Sequence, residues 1–127
     1  MIKFGYTIAY VEDVEASLAF FEAAFGLARR FVAPGGGYGE LETGATALAF
    51  ASRAMLRELG KTTRAPDSEA PSFEIALVAD DVPAAVRRAL AAGATLVQDA
   101  KEMPWGQTVA YVNDVDGFRV ELCTPMG

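Results

Sequence analysis

The chain has no histidine among its 127 residues, and only one cysteine and one tryptophan. Without imidazole, His-built zinc sites, Ser-His-Asp triads and Cys-His nucleophilic pairs are excluded within one chain. The lone Cys123 rules out an internal disulfide and accords with a reducing cytoplasm, the expected location. Basic residues are scarce too: 11 Lys and Arg against 17 Asp and Glu leave a net charge of −6. A phosphate-backbone binder needs a clustered basic face, so no nucleic-acid partner is expected. No apolar run reaches the ~18 residues of a membrane span, and Met1-Ile2-Lys3-Phe4 enters a strand pattern without a signal-peptide layout. No membrane partner is expected either. What the chain does have is apolar substance: 52% hydrophobic against 22% charged residues, the composition of a globular domain.

The chain also repeats itself. Tyr6-Thr7-Ile8-Ala9-Tyr10-Val11-Glu12-Asp13-Val14 aligns with Glu74-Ile75-Ala76-Leu77-Val78-Ala79-Asp80-Asp81-Val82, and Ala16, Ala23 and Ala24 fall on Ala84, Ala91 and Ala92. Each copy is a strand-length apolar run, an acidic stop, then an alanine-rich helical segment. Asp13 and Asp81 are the expected N-caps, because a carboxylate there accepts from the free amides of the first turn. Val14, Leu18, Phe21 and Phe25 form one stripe ending at Gly26. Val86 and Leu90 face inward on the second helix, which has Pro83 in its first turn and stops at Gly93.

Three short strands follow each helix: about 28–33, 38–42 and 46–51, then 95–99, 108–113 and 118–123. Pro34-Gly35-Gly36-Gly37 reads as a hairpin turn, since the Lys-Ser/Thr of a phosphate loop is missing. A short helix over 53–59 is expected between the halves, and the rest of that stretch reads as connector. The fold class is α+β, with tandem βαβββ modules forming a cupped mixed sheet. A single domain over 1–127 comprises module one at about 4–52, a linker at 53–71 and module two at 72–125.

The repeated module, the opening Tyr6–Val14 with Leu18-Ala-Phe-Phe and Phe25-Gly-Leu, and the closing Asp114-Val-Asp-Gly-Phe-Arg-Val-Glu-Leu122 resemble the vicinal oxygen chelate superfamily. This is the group of glyoxalases, bleomycin-resistance proteins and extradiol dioxygenases. The resemblance covers about Phe4 to Pro125 and implies the cupped fold. It does not fix an activity, since members include isomerases, dioxygenases and proteins that only sequester drugs. It also implies four metal positions, on the first and last strand of each module: here Tyr6, Ala49, Glu74 and Glu121. The family pattern has His at the first and third and a carboxylate at the second and fourth. Only Glu121 matches, so no metal and no cofactor is expected, the alternative being an oxygen-ligated divalent ion at Glu121 and Glu74.

Strand alternation extends this face to Ile8, Tyr10, Ala47, Ala51, Ala76, Val78, Arg119 and Cys123, with apolar Val11, Leu48, Phe50, Ile75, Leu77, Val120 and Leu122 opposite. Two tyrosines, two carboxylates and an arginine on a cupped sheet read as a small-molecule site or as a self-contained Arg119–Glu121–Glu74 charge cluster. Trp105, in the loop Lys101–Gln107, could stack on a planar or cationic ligand, or merely cover the sheet end.

The expected ligand-binding set is Tyr6, Tyr10, Ala49, Glu74, Trp105, Gln107, Arg119 and Glu121. No catalytic residue is expected. The leading function is non-catalytic binding of a small organic molecule, cationic or aromatic, by a homodimer of the bleomycin-resistance type. The alternative is a lyase, isomerase or dioxygenase using Glu121 with Glu74. A third reading is an interaction module whose cup is vestigial.

Overall fold

A computed structural model describes residues 1–126; Gly127 lies outside the described residues. The chain folds into two compact units, one of Met1–Glu22 with Gly26–Ala65, the other of Ala23–Phe25 with Pro66 onward. Each contains a four-stranded mixed sheet.

The first unit runs β1 (Tyr6–Val11), α1 (Val14–Phe25, its last three residues assigned to the second unit), β2 (Arg29–Val32), β3 (Tyr38–Leu41), β4 (Ala47–Ser52) and α2 (Arg53–Glu58). Its strand order is β1-β4-β3-β2, with β1 and β4 parallel and the other neighbours antiparallel. The expected caps are in place. The Asp13 carboxylate accepts from the Ala16 amide at 3.1 Å, and Gly26 ends α1 at φ 70°, a conformation glycine adopts without a Cβ penalty. Val14, Leu18 and Phe21 are fully buried, whereas Phe25 is only half-buried. The Ser52 hydroxyl caps α2 by accepting from Met55 N at 3.2 Å.

α1 lies on β3 at Gly39. A Cβ built there would come within 2.8 Å of Leu18 Cδ1 and 3.1 Å of Val14 Cγ1, with the Phe31 carbonyl at 3.4 Å. Glycine is the residue that lets this helix close on the sheet. Gly39→Ala should therefore lose about 1–3 kcal/mol through overpacking, read as a lower urea midpoint. Gly5→Ala, at a site with open space around it, should leave the midpoint where it was.

The second unit repeats the order with β5 (Ile75–Val78), α3 (Val82–Ala91), β6 (Thr95–Glu102), β7 (Thr108–Asn113) and β8 (Arg119–Cys123), in strand order β5-β8-β7-β6. The Asp81 carboxylate accepts from Ala84 N at 3.0 Å. α3 packs on β6, β7 and β8 through Val82, Val86 and Ala89. Leu90, expected inside, is exposed, because it is Ala89, fully buried, that turns toward the sheet. β6 runs three residues beyond its expected end at position 99. Two register shifts against β7 let it follow that strand as far as Glu102↔Thr108. Among the described residues no helix is long and apolar enough to cross a membrane.

The connector is not all loose. The Asp67 carboxylate accepts from Glu69 N and Ala70 N at 3.0 and 3.2 Å, closing an Asx turn. The Ser68 carbonyl accepts from Arg119 Nη2 at 3.0 Å and from Asn113 Nδ2 at 3.4 Å.

Candidate functional site

In the first unit, strand register decides which side chains share the helix-free face. Ile8 and Glu40 both pair with Ala49, and Tyr10 and Tyr38 both pair with Ala51. Cross-strand partners project to one side, so Tyr6, Ile8 and Tyr10 stand on one flank of an alanine column, with Tyr38 and Glu40 on the other. Val11, Leu48 and Phe50 face the opposite way and are buried, as alternation required. The alanine column is not an open floor. Ala47, Ala49 and Ala51 are buried, because a methyl between taller side chains is covered by them.

Glu40 is the residue that the sequence reading missed. It is 4% exposed, accepts a 2.6 Å hydrogen bond from the Tyr38 hydroxyl, and has Arg30 Nη1 at 3.7 Å. Burial, then the bond to Glu40, push the Tyr38 phenol well above its usual range. The signal was available in Gly39-Glu40-Leu41. Leu41 belongs to the buried parity, so Glu40 belongs to the other.

In the second unit Ala76 pairs with Glu121 and Val78 with Cys123, while Tyr111 pairs with Glu121 and Val109 with Cys123. Glu74, just before β5, shares the parity of Ala76. The helix-free face thus gathers Glu74, Glu121, Tyr111 and Cys123. The Tyr111 hydroxyl donates to Glu121 Oε1 at 3.0 Å. Burial, the neighbouring Glu121 charge and a hydrogen bond to it all raise the Glu74 carboxyl. Tyr111 is pushed up to about 12, mainly by burial and then by its bond to Glu121. The Cys123 thiol is raised for the same reasons in the same order.

Arg119 directs its hydrogen bonds away from Glu121 and Glu74, although its charge still acts on Glu74 and Tyr111 against the causes that raise them. Its Nε donates to Asn113 Oδ1 at 2.9 Å and its Nη2 to the Ser68 carbonyl. The planar fork at the start of β8 thus finds one acceptor on β7 and one in the connector. Removing the Glu121 charge should release Glu74. In Glu121→Gln protein the Glu74 carboxyl should titrate at lower pH than in wild type by ¹³C NMR, and an unchanged midpoint would leave burial as the sole cause.

At the β6–β7 hairpin, the Trp105 indole N–H donates to Gln107 Oε1 at 2.7 Å, and Gln107 Nε2 donates to the Thr124 carbonyl at 2.7 Å. Of the expected set, Tyr6, Tyr10 and Ala49 thus share a face of the first unit. Glu74 meets Glu121 and Trp105 meets Gln107 in the second, while Arg119 serves the connector.

The model of the Glyoxalase/Bleomycin resistance protein/Dioxygenase superfamily matches residues 3–122. The chain belongs to this superfamily. Solved structures agree in fold. A glyoxalase-related enzyme from Fulvimarina pelagi is 25% identical at TM-score 0.82, over 98% of this chain and 89% of that one. A hypothetical protein from S. aureus is 20% identical at 0.81, over 98% and 95%. A family enzyme from Burkholderia phytofirmans PsJN is 21% identical at 0.78, over 97% and 98%. No curated protein matches the chain.

Superfamily membership raises the question of a divalent ion, and the side chains answer it. The four family positions carry an exposed phenol (Tyr6), a buried methyl (Ala49) and two carboxyls (Glu74 and Glu121) that already hold each other and Tyr111. Glu40 brings a carboxylate opposite Ala49, but Tyr38 and Arg30 occupy it. Among the described residues no three acidic or cysteine side chains are grouped to hold an ion. The donor set does not fit the metal of the metal-dependent members.

Proposed function

We propose that this superfamily member binds a small organic molecule, cationic or aromatic, without transforming it, and does so as a cytoplasmic homodimer of the bleomycin-resistance type. One observation carries this reading. The groups around Glu121 that could attack or abstract (Glu74, Tyr111 and Cys123) are all held toward their protonated forms, while exposed Tyr6 and Tyr10 offer contact surface in the first unit. The net charge of −6 draws cations at long range, but that attraction is screened within ~10 Å at moderate salt, so shape must supply specificity. Isothermal titration with cationic glycopeptides and planar aromatic drugs tests the reading. Absence of heat with every compound would sink it.

The Glu74–Glu121 pair favours a second reading, a lyase, isomerase or dioxygenase in which one carboxyl keeps a proton beside another that accepts one. A stoichiometric ion in protein purified without chelator, lost in Glu121→Ala, would put this reading first.

A further inference from the structure

We infer that Met55 is a modification site for hydroperoxides: its thioether seats the hairpin between β2 and β3, and oxidation of that sulfur to the sulfoxide unseats it. The hairpin's three consecutive glycines carry the first clue, because they are not glycine for one reason. Gly35 and Gly36 take φ 89° and 75°, the region that favours glycine, and a Cβ built on either meets nothing within 4 Å. Gly37 has no such backbone demand, since its φ lies outside that region. What it lacks is room. A Cβ there would stand 2.5 Å from Met55 Sδ, 3.3 Å from its Cγ and 3.4 Å from its Cβ. The methionine side chain thus lies along the backbone of residue 37.

Other bonds meet at the same place. Ser52 N donates to the Gly37 carbonyl at 2.8 Å, and Ser52 Oγ accepts from Met55 N at 3.2 Å. The last residue of β4 therefore ties the base of the hairpin to the first turn of α2, and the thioether packs on the same glycine. Across the hairpin, Ala33 N donates to the Tyr38 carbonyl at 2.8 Å and Gly36 N to the Ala33 carbonyl at 3.0 Å. Tyr38 follows Gly37 directly, and its hydroxyl is the one bonded to Glu40. A change at Met55 reaches the helix-free face of the first unit through a single residue.

The chemistry is a two-electron oxygen transfer. The sulfur lone pair attacks one peroxide oxygen, the O–O bond breaks and an S–O bond forms. The displaced hydroxide takes the proton left on the transferred oxygen and departs as water, so sulfur is oxidised and the peroxide reduced. Met55 is half-buried, which leaves a small peroxide a way in. The product carries a polar oxygen on the sulfur. On the Gly37 side there is no space for it, and a polar atom pressed on packed groups without a partner is costly. If the side chain swings out to solvent instead, the sulfur leaves Gly37. Either course removes the contact that seats the hairpin, and reduction of the sulfoxide returns it.

The test treats the full chain with hydrogen peroxide under native conditions. Peptide mass spectrometry locates the added oxygen, and NMR follows hydrogen exchange of the Ala33 and Ser52 amides, whose bonds close the hairpin and its base. Met55 of the wild type should gain one oxygen, and both amides should then exchange about tenfold faster, the change that an unpartnered polar atom at a packed contact brings. The Asp114 amide, bonded to the Phe118 carbonyl in the second unit, should keep its rate, which separates local release from general unfolding. Met55→Leu, apolar and of similar volume, should exchange slowly with or without peroxide, although Met1, Met103 and Met126 remain. Gly37→Ala, which sets a methyl where the sulfur stands, should speed both amides without any peroxide.

Unmodified Met55 in protein whose exposed Met1 and Met126 are oxidised overturns the inference. So does unchanged exchange once Met55 carries its oxygen, or an equal acceleration in peroxide-treated Met55→Leu, which would place the effect on another methionine. Slow exchange in Gly37→Ala would show that the hairpin does not rest on this contact, and overturns it as well.

Discussion

Phe21→Ala should be among the most damaging single substitutions in the first unit, lowering stability by about 3–5 kcal/mol. Phe21 is fully buried, with Phe50 of β4 at 5.2 Å between ring centroids and Phe20 at 5.5 Å edge-on. Truncation removes a buried ring and leaves a cavity between α1 and its sheet that a β-strand cannot collapse to fill. Native stabilities are about 5–15 kcal/mol, so a large share would be lost. Urea unfolding followed by far-UV circular dichroism reads it, since Trp105 lies in the other unit. Phe25→Ala, on the same stripe but half-buried, should lose less than half as much. Equal losses for the two would mean that burial in α1 does not follow the observed gradient.

That contrast marks what could be read from residues alone. The repeat, both caps, the parity of the strands and the two helix stops follow from local chemistry: a carboxylate before a helix, glycine after it, and apolar residues spaced by 3.6 or 2. Those rules act within about a dozen residues, and the structure follows them. Phe21 and Phe25 are equivalent on such a stripe. What separates them is burial and the unit that holds them, Phe21 fully buried in the first and Phe25 half-buried and assigned to the second, and no local pattern encodes that division. Nor does a local pattern separate Leu90 from Ala89: the stripe turns Leu90 inward, whereas the buried residue is Ala89.

The site was legible in the strands whose parity the family motif pins, and hidden elsewhere. Glu121, Glu74 and Tyr10 were named from β1, β5 and β8. Glu40 and Tyr111 sit on β3 and β7, the middle strands of each hairpin, and only cross-strand register places Glu40 opposite Ala49 and Tyr111 opposite Glu121. Arg119 shows a related limit. Strand parity gives a side chain's face and not its reach, and this long guanidinium takes one acceptor on β7 and another in the connector.

The closing motif contains the largest expected pH effect. Asp114 is 4% exposed, and its Oδ1 accepts from Phe118 N at 2.8 Å and Asp116 N at 2.9 Å, holding the turn between β7 and β8. Its Oδ2 is buried and has no hydrogen-bond partner among the described residues. Burial pushes the carboxyl from 3.8 up to about 6, against the backbone bonds that favour its charged form. The folded state therefore keeps this proton after the unfolded chain has released it. The associated stability is fully present below about pH 4 and is lost as pH rises through about 6. A shift of that size corresponds to roughly 3 kcal/mol across the window.

Asp114→Asn keeps the accepting oxygen and cannot ionise, so its stability should lack this slope. Relative to wild type it should gain between pH 4 and pH 7, whatever its offset at pH 4. Asp114→Ala loses the acceptor itself, leaves two turn amides short of a partner, and should be less stable than the Asp114→Asn protein at every pH. Urea midpoints of the three proteins at pH 4 and pH 7 decide the matter. If the curves of wild type and Asp114→Asn run parallel, the buried carboxyl is not the source of the slope. Glu74, raised in the same direction, would then have to account for whatever pH dependence remains.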